Sequence, residues 1–177
     1  MNKPNIRKEV KKIKLEIPQR DREVTAIEVM TKIESLPQFQ EAENILLYNA
    51  LPDELPTACM LERWDNFKTL FLPVVEGENL IIKRYDKENV KIGAFGITEP
   101  LGDEIDSKII DFIIVPGVAF DRNRNRLGRG KGYYDRLLAD SNAYFVGVGY
   151  DLQVLEHIPT EEHDIKMNCI ITEREIL

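Results

Sequence analysis

"DFIIVPGVAFDRNRNRLGRGKGYYDRLL" occupies residues 111–138 and holds the signals that decide the fold. Its first part, "DFIIVPGVAFD", is a short continuous apolar stretch, the pattern of a strand buried on both faces of a parallel sheet. Its middle is a loop of cations and alternating glycines. Its end, "GYYDRLL", reads as the start of a helix. A buried strand, a loop and a helix in succession form the building unit of a layered α/β domain. Ligands of such sheets bind beyond the carboxyl ends of the strands, which is where this loop lies.

The rest of the chain repeats the alternation. Upstream, "NIRKEVKKIKLEI" is a basic, helix-compatible segment that ends at Pro18, and a second helix is expected from about Arg20 to Leu36. In that helix Val24, Ile27, Met30 and Ile33 recur at three-residue steps and read as its apolar face. "NILLYNAL" reads as a buried first strand, "LPDELPT" as a turn, and "PTACMLERWDNF" as a helix with proline at its start. "KTLFLPVV" and "NLIIKRYD" are the next strands, followed by "GAFGITEPLGDEI", a loop with three glycines and a proline. "AYFVGVGYD" and "CIITE" complete the set. Strands alternating with helices over this length imply a mostly parallel α/β sheet.

The chain has 177 residues, 43% hydrophobic and 31% charged, which suits one soluble domain spanning 1–177. A net charge of −7 argues against a general binder of nucleic acid or membrane surfaces. Cys59 and Cys169 lie far apart and in no metal-ligand spacing, so they read as reduced thiols. "MNKPNIRKEVKK" holds no apolar stretch for a signal peptide, and no apolar run approaches the roughly 20 residues of a membrane span. The expected address is the cytoplasm.

Against that acidic background, Arg122, Arg124, Arg126, Arg129, Lys131 and Arg136 face only Asp135. Two like charges about 4 Å apart repel by roughly 4 kcal/mol at an effective dielectric near 20, so ordering these cations requires anions. A solvated, mobile loop is one account. The alternating Gly128, Gly130 and Gly132 favour another, because they leave backbone N–H groups free to close around phosphate oxygens. The spacing fits neither the Walker A loop nor the dinucleotide fingerprint, since Lys131 is followed by Gly132 and Tyr133. Residue types alone therefore imply a phosphate site of unspecified type. Tyr133 and Tyr134 read either as core residues or as one stacking and one inward ring.

"IIVPGVAFDRNRNRLGRGKGYYDRLL" closely resembles the signature of the 5-formyltetrahydrofolate cyclo-ligase (methenyltetrahydrofolate synthetase) family. "NKPNIRK", "LPDELPT", "GAFGITEP" and "HDIKMNCIITE" match in the same order, so the resemblance covers nearly the whole chain. It implies a monomeric or weakly associating cytosolic enzyme with a three-layer α/β/α sandwich around a mostly parallel sheet. It implies MgATP-dependent conversion of 5-formyltetrahydrofolate to 5,10-methenyltetrahydrofolate, through a formyl oxygen phosphorylated by the γ-phosphate. ATP is the co-substrate, Mg2+ the metal, and the folate is taken with or without a polyglutamate tail.

The resemblance also assigns residues. Lys3, Pro4, Asn5, Ile6 and Arg7 match an N-terminal ATP-binding segment, although by themselves Lys3 and Arg7 read as an ordinary solvated helix face. Arg126, Leu127, Gly128, Arg129, Gly130, Lys131, Gly132, Tyr133 and Tyr134 match the ATP loop, with Arg126, Arg129 and Lys131 as its catalytic cations. Arg129 to Tyr133 also border the folate. Tyr48, Asn49, Glu54 and Phe95 match the folate pocket, Glu54 as acceptor for paired pterin N–H groups. Phe95 stands where some relatives carry tryptophan, and Asn49 is more polar than its counterpart in some members. Asp135 and Asp164 match magnesium ligands, although alone Asp164 reads at least as well as an exposed carboxylate or a local cap. Two rivals remain at the level of sequence: a sugar-phosphate or coenzyme-A enzyme of similar build, and an RNA-backbone binder with stacking tyrosines.

Overall fold

The computed structural model describes residues 2–93 and 96–177. The chain opens with α1 (Lys3–Leu15), capped by the Asn2 side chain and started by Pro4, followed by α2 (Gln19–Glu34) and α3 (Pro37–Glu41). Next come β1 (Asn44–Leu46), α4 (Ala58–Trp64), β2 (Thr69–Glu76), β3 (Asn79–Arg84), β4 (Val90–Ile92) and β5 (Thr98–Pro100). The second half holds β6 (Phe112–Pro116), β7 (Ala119–Asp121), β8 (Arg126–Leu127), α5 (Tyr133–Ala139), β9 (Tyr144–Val148), β10 (Val154–Leu155) and β11 (Cys169–Ile171).

Six strands form the central sheet in the order β11-β9-β6-β1-β2-β3, parallel except for the β2–β3 hairpin. Side chains alternate across it as the pleat requires. Ile45, Leu47, Phe112 and Ile114 face the helical layer, with Val29, Ile33, Met60 and Trp64. Leu46, Ile113 and Val115 face the other layer, with Leu138 of α5 and Phe120 of β7. Both faces are covered, which explains the unbroken apolar runs. The layered, mostly parallel fold expected from the sequence is present. A small sheet, β10-β7-β8, completes the second outer layer, and α1 packs Ile6 and Val10 onto it beside Val118, Leu127 and Ile158.

Three expectations are corrected. "DFIIVPGVAFD" is two strands in two sheets, β6 and β7, separated by Gly117 and Val118. A Cβ on Gly117 would lie 2.4 Å from Cζ of Phe120, so the bend and the buried ring share one space. Gly117→Ala is expected to lower stability by about 1–3 kcal/mol through overpacking, read as a lower urea midpoint at unchanged slope.

In α2, Val24 and Ile27 are 48% and 51% exposed, and the buried stripe is Arg22, Thr25, Ala26, Val29, Met30 and Ile33. Steps of three residues alone drift about 60° per step around a helix, so Val24 and Ile33 cannot share a face. The segment 93–105 is not all loop, because β5 pairs antiparallel with β4.

Candidate functional site

From β1 the sheet grows through β2 to β3, and from β6 through β9 to β11. The adjacent β1 and β6 therefore mark a switch point, and the loops beyond their carboxyl ends bound the expected crevice. Beyond β1 lies the turn at residues 51–55. The Glu54 amide donates to the Leu51 carbonyl at 2.9 Å, and the Leu51 amide donates to Glu54 Oε2 at 3.0 Å. Tyr48 is buried and its hydroxyl donates to the Leu55 carbonyl at 2.8 Å, so it braces the turn from below. Asn49 donates to the Thr98 carbonyl at 2.8 Å and ties the turn to β5. Phe95 lies outside the described residues.

Beyond β7, the buried Asp121 carboxylate accepts from the amides of Asn123, Asn125 and Ile158 and from the Asn125 side chain. This anchor delivers Arg126 and Leu127 into β8, then releases the glycine loop. Gly130 (φ 96°) and Gly132 (φ 69°) take left-handed conformations that other residues rarely adopt. Gly132 is the N-cap of α5, a helix of only seven residues. Arg7 donates from Nε to the Gly128 carbonyl at 2.8 Å, which brings the N-terminal segment onto the loop. Lys3 pairs with Asp164 at 2.7 Å and with Glu161 at 3.1 Å. Burial pushes the Asp164 carboxyl up, but the bonds from Lys3 and the Glu161 amide outweigh it and hold the group below its ordinary value.

The fold gives most of the loop cations separate partners, some local and some distant in the chain. Arg122 pairs with Glu175 at 2.9 Å, and Arg124 donates to the Asn168 carbonyl at 2.8 Å. Arg136 lies over the Tyr133 ring and donates to the Lys131 carbonyl at 3.0 Å. Arg126 is turned inward, 2.8 Å from Asp135 Oδ1, 3.1 Å from the Pro116 carbonyl and over the Tyr134 ring. Its buried Nε–H has no partner among the described residues, a costly state unless an acceptor such as a phosphate oxygen or water meets it. Lys131 is exposed, and its ammonium makes no ion pair or hydrogen bond among the described residues.

Arg129 crosses to the folate-matched turn. Its Nη2 lies 2.5 Å from Asp53 Oδ1 and its Nε 3.1 Å from Glu54 Oε1. Asp53 also takes Lys14, buried on α1, at 3.3 Å. Burial raises the Asp53 pKa, but Arg129 and Lys14 outweigh it and leave the group below its ordinary value. Below the turn, Arg22 donates to the carbonyls of Ile17, Lys14 and Pro52. Lys14, Arg22 and Asp53 were not singled out from the sequence. A signal existed for two of them. Lys14 continues the Ile6, Val10 series at four-residue spacing, and Arg22 starts the Ala26, Val29, Ile33 stripe. A charge at such a position marks a buried cation with a partner.

Among the described residues no group of three His, Cys, Asp or Glu side chains stands ready to hold a metal. Asp135 and Asp164 are each engaged by a cation, Arg126 and Lys3 respectively. Such donors suit an ion that brings most of its shell as phosphate oxygens and water, as magnesium does. They do not form a protein cage.

The glycine loop, the N-terminal basic pair, the "HDIK" aspartate and the glutamate turn thus converge from four parts of the chain. A family model described as 5-formyltetrahydrofolate cyclo-ligase matches residues 1–173. The chain belongs to that family. Among curated members, the 5-formyltetrahydrofolate cyclo-ligase of Haemophilus influenzae is 32% identical over 94% of this chain and 95% of its own. The probable 5-formyltetrahydrofolate cyclo-ligase of Schizosaccharomyces pombe is 30% identical over 86% and 85%. The solution structure of Aquifex aeolicus 5,10-methenyltetrahydrofolate synthetase superposes with a TM-score of 0.90 at 36% identity, covering 99% of this family member and 92% of that chain. The family expected from the sequence is therefore borne out. No helix among the described residues is long and apolar enough to cross a membrane.

Proposed function

We propose that this chain converts 5-formyltetrahydrofolate to 5,10-methenyltetrahydrofolate, using ATP that arrives with magnesium and leaving ADP and phosphate. An N-formyl carbon is a poor electrophile because nitrogen donates into its carbonyl. Transfer of the γ-phosphoryl group to the formyl oxygen makes that oxygen a leaving group, while ADP departs with the broken bond's electrons. The second folate nitrogen attacks the formyl carbon and loses its proton, and phosphate leaves with the C–O electrons as the ring closes.

Phosphoryl transfer is catalysed mainly by positioning and charge neutralisation. Arg126, Arg129 and Lys131 are the neutralising cations, and Lys3 and Arg7 support the nucleotide from α1. Glu54 accepts from the pterin N–H groups, on a wall that Tyr48 and Asn49 hold in place. Asp135 and Asp164 would hold the magnesium ion, which would supply further neutralising charge. The observation that carries this reading is the 3.1 Å contact between Arg129 and Glu54, which joins the phosphate loop to the folate turn at one point.

The test is a turnover assay. Purified protein with MgATP and 5-formyltetrahydrofolate is expected to develop methenyltetrahydrofolate absorbance at mildly acid to neutral pH, and none without ATP. Lys131→Ala is expected to lower kcat/KM for ATP by roughly 10–100-fold, the loss of one charge-assisted contact. Because Lys131 is exposed, its urea midpoint should move little. Unaltered turnover in this variant removes the phosphate role of the loop.

A further inference from the structure

The Lys14 side chain is 1% exposed, on the α1 face that otherwise buries Ile6 and Val10. A buried ammonium is unfavourable unless paired, and an apolar side chain of similar length packs as well or better in such a place. Stability alone therefore does not account for lysine here. Its Nζ lies 3.3 Å from Asp53 Oδ2, while Oδ1 of the same carboxylate meets Arg129 at 2.5 Å. Asp53, itself 14% exposed, is thus divided between two cations. Arg129 is divided too, with its Nε on Glu54. Two cations and two carboxylates make a neutral quartet at the junction of the two subsites.

We propose that Lys14 and Asp53 are positioning residues that set how firmly Arg129 is held on the folate side, so that a nucleotide phosphate can take it. This rests on Arg129 being a phosphate ligand in the function proposed above. Without ligands, both carboxylates of the turn hold Arg129. A pterin engaging Glu54 withdraws one of them. Lys14 weakens the other by drawing on the same Asp53 carboxylate. Arg129 then passes to the γ-phosphate when the formyl oxygen is in place. Folate bound first tightens ATP, and by reciprocity ATP tightens folate.

The experiment compares Lys14→Met, Asp53→Asn, the double variant and Arg129→Ala in the full chain. KM is measured for each substrate at saturation of the other, with urea unfolding alongside. Lys14→Met is expected to unfold at an equal or higher urea concentration. Its KM for ATP nevertheless rises roughly tenfold, equivalent to about 1.4 kcal/mol, because Asp53 keeps Arg129 to itself. The double variant is expected to return KM for ATP close to wild type, a rescue that a packing lesion at Lys14 would not show. An unchanged KM for ATP in Lys14→Met, or a double variant no better than the single, overturns the proposal. If Lys14→Met does not fold, Asp53→Asn decides: a lowered KM for ATP supports the shared hold, and an unchanged or raised one overturns it. Arg129→Ala separates the two readings. Wild-type KM for ATP in that variant removes Arg129 from the phosphate site and defeats both. A raised KM there with no effect of Lys14→Met defeats only the positioning pair.

Discussion

Arg126→Ala is expected to lower kcat for methenyltetrahydrofolate formation by roughly 10²–10³-fold, the loss that follows removal of one preorganised donor to developing charge. Its guanidinium is fixed on three sides, by Asp135, the Pro116 carbonyl and the Tyr134 ring. A guanidinium fixed in this way is preorganised for the role proposed above, and its buried Nε–H, without a partner among the described residues, would meet a phosphate oxygen once the glycine loop admits one. The substitution also has a structural effect. Asp135 loses its cation, which costs about 1.5–3 kcal/mol for a charged hydrogen bond, less whatever water recovers at this partly exposed carboxylate. Arg126→Lys separates the effects, because it keeps a charge for Asp135 but loses the planar fork. It should recover most of the urea midpoint and little of the rate. Full rate in the lysine variant would show that the charge suffices without the planar fork, and full rate in the alanine variant would place Arg126 among structural groups only.

The second large effect belongs to the turn at residues 51–55, proposed above to hold the folate. Glu54→Gln retains an oxygen that can accept from the Leu51 amide, so the turn keeps its shape. It removes the negative charge that a pterin's paired N–H groups require. A charge-assisted pair contributes about 1.5–3 kcal/mol, so KM for 5-formyltetrahydrofolate should rise roughly 10–100-fold. KM for ATP should not rise, since Arg129 loses a competing carboxylate and no phosphate ligand is removed. Initial rates against each substrate measure both values. A raised KM for ATP with an unchanged folate KM would move Glu54 to the nucleotide side.

The sequence was most legible where one local pattern governs structure. "FIIV" (112–115), "LFL" (70–72) and "FVGV" (145–148) are apolar without interruption because both faces of the sheet are covered there. The bend at Gly117 was missed because the space it needs is filled by Phe120, whose packing no neighbour in sequence announces. The α2 face was misread because residues at three-residue steps look periodic over one turn but drift over three. The ordered motifs also sufficed for the family.

What the sequence determined by itself was the run of strands and helices, the position of a cationic glycine loop past a buried strand, and the family. Only the tertiary structure decided where each cation goes. Arg122 finds Glu175, Arg126 turns inward to Asp135, and Arg129 and Lys14 meet on Asp53. Periodicity reports on neighbours within a turn of helix or a pleat of strand, whereas ion pairs depend on distance in space. Arg129 and Asp53 are 76 residues apart in the chain and 2.5 Å apart in the fold.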